Sequence, residues 1–170
     1  IAPFDWSTIN NGCGFDVIIG NPPYVNTEGM HALLPSAEVE VYKKKYKTSH
    51  KQFDKYFIFI EQAINKINEN GLVCYIVPNK FFKIGAGEKL RNLIAKERML
   101  VSLDDFGDAQ LFEDKTIYSS IILLSKAKQT SFVYSSVDSA NKLWAGEEVS
   151  SIELSSSVLN KLPWRLTTDF

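Results

Sequence analysis

The chain has 170 residues, 45% hydrophobic and 12% aromatic, enough for one α/β domain with a sizeable core. Lysine and arginine number 19 against 20 acidic residues, so the formal charge of −1 gives no global footprint for nucleic acid. No apolar run approaches the roughly 20 residues that a bilayer requires, and no basic-then-apolar leader marks secretion. Cys13 and Cys74 lack metal or disulfide spacing, so a cytoplasmic setting is expected, with no membrane partner and no metal. The chain begins with Ile1 rather than methionine, and an excerpt of a longer protein is expected.

In chain order, Asp16, Val17, Ile18 and Ile19 read as a short strand buried on both faces and closed by Gly20, because the run is apolar and β-branched. It runs into Asn21-Pro22-Pro23-Tyr24. Each proline fixes φ near about −65° and lacks an N–H, so the chain leaves the strand rigid, extended and with free carbonyls. Asn26 to Val39, with Gly29 and Pro35, is expected to be a loop. "YKKKYKTSHKQFDKY", Tyr42 to Tyr56, sets Lys43, Lys44, Lys45, Lys47, Lys51 and Lys55 against one acid, Asp54. Acids return at Asp104, Asp105, Asp108, Glu113 and Asp114, so near-neutrality conceals a polarised surface.

Phe53, Tyr56, Phe57, Ile60, Ala63, Ile64 and Ile67 recur at helical spacing, with Asn70-Gly71 as the expected stop. "GLVCYIVP" then reads as a buried strand ended by Pro78. This is a strand, helix, strand unit whose strands should be parallel. A second helix is expected over about Gly87 to Arg98, then strands at "MLVSLDDF" and Thr116 to Lys126, with Ser131 to Tyr134 pairing outside the latter. From Ser135 the chain is polar and serine-rich, and "SSSVLNKLPW" suggests one short amphipathic helix. The expected division is 1–134, a catalytic unit, and 135–170, a polar extension.

Ligands of open α/β sheets bind outside the carboxyl ends of strands, where Asn21 to Tyr24 and Pro78 to Lys80 both fall. A planar heterocycle with an exocyclic amine suits this corner, because the Asn21 side-chain oxygen and the Pro22 carbonyl can each accept one N–H, while Tyr24 stacks on the ring. The adenine amine is a poor nucleophile, since its lone pair is delocalised into the ring. As its nitrogen becomes tetrahedral and cationic its N–H groups grow more acidic, so fixed acceptors favour the transition state over the ground state. The lysine run, interleaved with Tyr42 and Tyr46, is a candidate for phosphate contacts through Lys43, Lys44, Lys45, Lys47 and Lys51.

"FDVIIGNPPYV", "FDKYFIFIEQAINKINENGLVCYIVPNKFF" and "DDFGDAQLFEDKTIYSSIILLSK" together resemble the adenine-specific N6 DNA methyltransferases, notably the fused restriction-modification enzymes of type IIG, over about Phe4 to Lys126. The resemblance implies Asn21, Pro22, Pro23 and Tyr24 as the catalytic motif, S-adenosylmethionine as cofactor, and double-stranded DNA as partner, with the target adenine flipped out of the duplex. It further implies that Phe59, on the flank of the helical stripe, packs against the cofactor's adenine, and that Phe112 contacts the flipped base beside Tyr24. The implied fold is α/β: a Rossmann-like methyltransferase sheet reduced to its second half, mostly parallel, with strands near Val17, Val73, Val101 and Ile121 and the last antiparallel. The family's glycine-containing cofactor turn lies upstream of the catalytic motif and its target-recognition domain downstream, so the isolated chain is expected to be inactive. Glu113-Asp114-Lys115 with Asp105 only loosely mimics a metal nuclease, and no metal is expected. Two rivals share the corner: a methyltransferase acting on a glutamine side-chain amide of a protein, and a non-catalytic DNA-binding or assembly module.

Overall fold

A computed structural model describes Trp6, residues 12–111 and residues 117–168, with the side chains of Gln110 and Leu143 excepted. Phe112 and Glu113 to Lys115 lie outside the described residues. Among those described, β1 (Phe15–Gly20), β2 (Ile67–Pro78), β3 (Leu100–Gln110), β4 (Tyr118–Ser125), β5 (Ser131–Ser136) and β6 (Ser150–Ser155) form one sheet in the order β1-β2-β4-β3-β5-β6. β1 is parallel to β2, β4 is antiparallel to both β2 and β3, β3 is parallel to β5, and β6 is antiparallel to β5. Hence β1, β2, β3 and β5 run one way, and the strand expected to be antiparallel, near Ile121, is β4.

α1 (Thr27–Leu33), α2 (Ser36–Lys45) and α3 (Lys55–Lys66) connect β1 to β2, α4 (Glu88–Lys96) connects β2 to β3, and α5 (Ala140–Trp144) connects β5 to β6. α3 buries Tyr56, Phe57, Ile60, Ala63 and Ile64 on the stripe read from the sequence, while α4 buries Leu90 and Ile94. These meet Val73, Val77, Leu103, Ile122 and Leu124 of the sheet in one core. Each buried Val, Leu, Ile or Phe among them contributes roughly 1.5–3 kcal/mol by leaving water.

Several expectations are corrected. β1 is not buried on both faces: Val17 and Ile19, which share one face of the strand, are 50% and 76% exposed, whereas Ile18 on the other face packs against the core. Asn26 to Val39 is no loop. Asn26 caps α1 by accepting the Gly29 N–H at 2.8 Å, and Pro35 immediately precedes α2. α3 ends at Lys66, so Asn70-Gly71 does not stop it but marks an excursion of β2, whose register to β1 jumps from Phe15↔Ile67 to Val17↔Leu72. Glycine is required there, since a Cβ on Gly71 would lie 2.7 Å from the Phe15 carbonyl oxygen. The expected helix in "SSSVLNKLPW" is instead a single turn, Ser156–Val158, after β6, and the described chain beyond it forms neither helix nor strand.

That irregular tail docks on the turn after β2. Trp164 donates its backbone N–H to the Phe82 carbonyl at 2.8 Å, stacks on the Phe82 ring and meets Phe81 edge-on. The buried Arg91 guanidinium joins the same pieces, donating to the carbonyls of Phe81, Ile84 and Lys161. Trp164→Ala empties a site only 6% exposed, and should lower unfolding free energy by about 3–5 kcal/mol in urea titrations. An unchanged midpoint would mean that the tail does not dock here.

Candidate functional site at the carboxyl end of β1

The pairing of β1 with β2 ends at Gly20↔Tyr75. Beyond it, Pro22 is buried, Asn21 and Pro23 are exposed, and Tyr24 is half-buried. The Asn21 side chain makes no hydrogen bond among the described residues, so its oxygen is free to accept. Tyr24 is fixed: its hydroxyl donates to the Ile76 carbonyl at 2.8 Å and its ring meets that of Tyr56 edge to face at 6.1 Å. Tyr56, fully buried, donates in turn to the Pro78 carbonyl at 3.3 Å. Burial pushes the Tyr24 hydroxyl up to about 12 and that of Tyr56 well above its ordinary value, so both remain donors at neutral pH.

The chain after Tyr24 is stitched to the start of α3. The Lys55 N–H donates to the Val25 carbonyl at 2.8 Å, Asn26 bridges Asp54, and the Thr27 hydroxyl donates to the Phe53 carbonyl at 2.7 Å. Lys80, just past β2, holds the buried Asp54 carboxylate at 3.0 Å. Both strand ends named from the sequence are therefore neighbours, joined through Tyr24 to Ile76 and Lys80 to Asp54.

A cleft of about 650 Å³ opens beside this corner, between β1, α2 and α3. Phe59 lines it, 39% exposed on the flank of α3, together with Ile19, Tyr42, Tyr46, Gln62 and Tyr75. Asn21 to Tyr24 are not among its lining residues. Tyr42, Tyr46 and Gln62 escaped the sequence reading as cleft residues, although Tyr42 and Tyr46 stand one helical turn apart. The Tyr46 hydroxyl donates to the Gln62 side-chain oxygen at 3.4 Å, and the Lys55 ammonium sits 5.6 Å from the Tyr42 ring centroid.

The lysine run divides. Lys43, Lys44 and Lys45 occupy the last turn of α2, with Lys43 held by Glu40 at 2.8 Å and Lys45 over the Tyr46 ring. The next segment is pinned by the buried Glu61, whose carboxylate accepts the Lys47 and Thr48 N–H groups at 3.1 and 2.8 Å. Lys51, at φ 58°, lies 3.9 Å from Glu88. All five are exposed. The acids do not form one surface: Asp105 is buried, and Asp104 is half-buried with its carboxyl pushed up by burial.

A family described as Eco57I restriction-modification methylase matches residues 1–112. The type II restriction enzyme and methyltransferase RM.Eco57I of Escherichia coli is 43% identical over 148 residues, covering 87% of this chain and 14% of that protein. In solved structures, the type I restriction-modification methyltransferase subunit from Streptococcus thermophilus superposes with a TM-score of 0.62 at 17% identity, over 90% of this chain and 37% of that one. A putative class I S-adenosylmethionine-dependent methyltransferase from Listeria monocytogenes superposes at 0.54 and 18% identity, over 77% of this chain and 39% of that one. The fold is thus that of part of an S-adenosylmethionine-dependent methyltransferase sheet, and the chain spans well under half the length of each of these proteins.

The raised Tyr24 value has a direction that can be measured. The folded state keeps this proton above the ordinary tyrosine pKa of about 10, so the stabilisation is complete below pH 10 and is lost as pH rises towards about 12. Tyr42 and Tyr134 are also pushed up to about 12 and contribute to the same alkaline slope. Tyr24→Phe should make unfolding free energy fall less steeply between pH 10 and 12, as read by urea titration at each pH. An unaltered slope would mean that the Tyr24 hydroxyl is not buried.

Proposed function

The chain belongs to the Eco57I restriction-modification methylase family, and from that membership we propose that it is the catalytic part of a site-specific DNA adenine-N6 methyltransferase. The observation that carries this reading is the corner itself: an exposed, unbonded Asn21 beside a proline-locked carbonyl and a tyrosine ring fixed from behind. In this reading double-stranded DNA is the partner, the setting is cytoplasmic, and residues 135–170 lead towards a target-recognition domain.

The Asn21 oxygen and the Pro22 carbonyl accept the two N–H groups of the adenine amine, and hold its nitrogen as it turns tetrahedral. Tyr24 supplies a stacking face for the extruded base, with Phe112 as the second aromatic partner. The cleft suits the adenine end of a methyl donor, because its volume falls within the roughly 300–1,000 Å³ of ligand pockets and its walls are aromatic with a few polar groups. Phe59 would lie against that purine, with the Gln62 amide beside it. Bound S-adenosylmethionine supplies an electrophilic methyl carbon on a sulfonium, which leaves as a neutral thioether. The amine then sheds its extra proton to solvent, so no strong base is needed at the corner. Lys43, Lys44, Lys45, Lys47 and Lys51 supply charge for the DNA backbone.

Asn21→Ala, in the full protein that carries this sequence, should leave folding intact and slow single-turnover formation of N6-methyladenine by about 10² or more. A parental rate would remove Asn21 from the chemistry, and absence of N6-methyladenine with the unaltered protein would overturn the function.

Replacing the five lysines by glutamine should flatten the plot of log affinity for DNA against log salt, by up to about 0.9 in slope for each phosphate no longer neutralised. An unchanged slope would assign them to an ordinary solvated face.

A further inference from the structure

Asp105, where the pairing of β3 with β5 ends, is a buried carboxylate surrounded by donors from three elements. Its Oδ1 accepts from the Asn79 side-chain amide at 2.8 Å and the Gly107 N–H at 3.1 Å. Its Oδ2 faces the Lys83 ammonium and the Tyr134 hydroxyl, each at 3.5 Å. Its backbone carbonyl takes the Val137 N–H at 2.9 Å. A buried carboxylate has a large desolvation cost, and an apolar side chain of similar volume often serves stability as well or better. The position of the group therefore needs another reason.

The reason is legible in what its partners carry. β3 bulges here, its register to β4 jumping from Asp105↔Ser120 to Gln110↔Tyr118. The bulge turns on Gly107 at φ 52°, where no described atom crowds a Cβ and the backbone angle favours glycine. Both polar groups of Gly107 go to the cluster, its N–H to Asp105 and its carbonyl to the Asn79 amide at 3.3 Å. Asn79 directly follows Pro78, whose carbonyl holds Tyr56, which packs against Tyr24. Tyr24 hangs from Ile76, two residues before Pro78.

We propose that Asp105 is a positioning residue for the methyl-transfer corner: through Asn79 it fixes the carboxyl end of β2, and with it the carbonyls from which Tyr24 and Tyr56 hang. The assignment rests on the function proposed above and places Asp105 outside contact with substrate. It gives one carboxylate two tasks, closing the β3 bulge and setting the ring of Tyr24 relative to Asn21.

The test uses the full protein carrying this sequence, in single-turnover methylation of a duplex with its target adenine, with S-adenosylmethionine saturating. Asp105→Ala should slow the methyl-transfer step about tenfold or more, with the Kd for DNA and for S-adenosylmethionine within about twofold of parental. Asp105→Asn keeps a side-chain oxygen able to accept from both the Asn79 amide and the Gly107 N–H, and should hold the rate within about threefold of parental. A stability role alone would change the thermal midpoint without separating rate from affinity. An independent readout is amide hydrogen exchange of the peptide containing Gly107, which should accelerate in Asp105→Ala and stay near parental in Asp105→Asn. If Asp105→Ala does not fold, Asn79→Ala, which leaves the other donors of Asp105 in place, carries the same test. Accelerated exchange with a parental methylation rate in Asp105→Ala, or methylation as slow in Asp105→Asn as in Asp105→Ala, overturns the proposal. If the unaltered protein makes no N6-methyladenine, the proposed reaction falls and the positioning role with it, while exchange at Gly107 still reports whether Asp105 closes the bulge.

Discussion

Tyr24 hangs from the Ile76 carbonyl because two strands of unequal reach lie side by side. β1 pairs with β2 only as far as Gly20↔Tyr75, whereas β2 continues to Pro78. The last stretch of β2 therefore presents carbonyls beyond the ladder with β1, and side chains take them: Tyr24 at Ile76 and Tyr56 at Pro78. A buried carbonyl left without a donor costs about 1–3 kcal/mol, so these tyrosines do more than fill space. The same reach places Asn79 and the turn after it over β3, where Asp105 receives them. Were β2 to end at Tyr75 with its pairing to β1, Tyr24, Tyr56 and Asn79 would all lose their partners.

The turn after β2 is held from three directions by different physics. On one side the buried Asp105 binds Asn79 and Lys83 through charge-assisted contacts. On another, Arg91 donates to backbone carbonyls, with burial holding its guanidinium below the ordinary arginine value. From the third, Trp164 adds a stacked ring and a backbone hydrogen bond. Opposite strengths offset one another in this arrangement: the buried charges are costly but directional, whereas the aromatic stack is favourable but permits sliding. Together they give a turn that is both stable and unique in position, and Lys80 at its surface extends that order to Asp54 and the start of α3.

Much of this was legible in the sequence, and the reasons for the rest differ from residue to residue. The stripe of α3, the apolar run closed by Pro78 and the proline corner are local signals, and each element appears where its signal lies. β1 misled because a β-branched run states that a residue suits a strand, not whether a neighbour covers it, and Ile19 is left 76% exposed. Asn70-Gly71 signalled a true departure from regular geometry but not its kind, since a strand excursion and a helix stop use the same residues. Gly29 and Pro35 hid two short helices, because Asn26 caps one across Gly29 and proline is tolerated just before the other. Asp105 was hidden among acids. Which acid of a cluster faces inward is set by strand register, a long-range property that composition does not carry. The angle along α3 alone sets Phe59 on the flank of the helix, and there it lines the cleft.

The proposed chemistry makes one demand that this frame meets unequally at its two acceptors. The proline rings fix φ in the chain itself and the fold fixes the rest, so the Pro22 oxygen arrives at the reaction already oriented. Asn21 is different: its side chain is exposed and unbonded, and binding must still immobilise it, at a cost below about 2 kcal/mol. A hydrogen bond to a group gaining charge contributes about 1.5–3 kcal/mol, comparable to or larger than that cost, and the contribution grows only as the amine becomes cationic. A fixed acceptor needs no reorganisation as the amine gains charge, so the Pro22 carbonyl contributes its hydrogen bond in full, whereas the Asn21 amide contributes what remains after its own immobilisation. In the proposed reaction the ring of Tyr24 and the Pro22 carbonyl would set the base in place, and the Asn21 amide would add its bond as the nitrogen begins to attack.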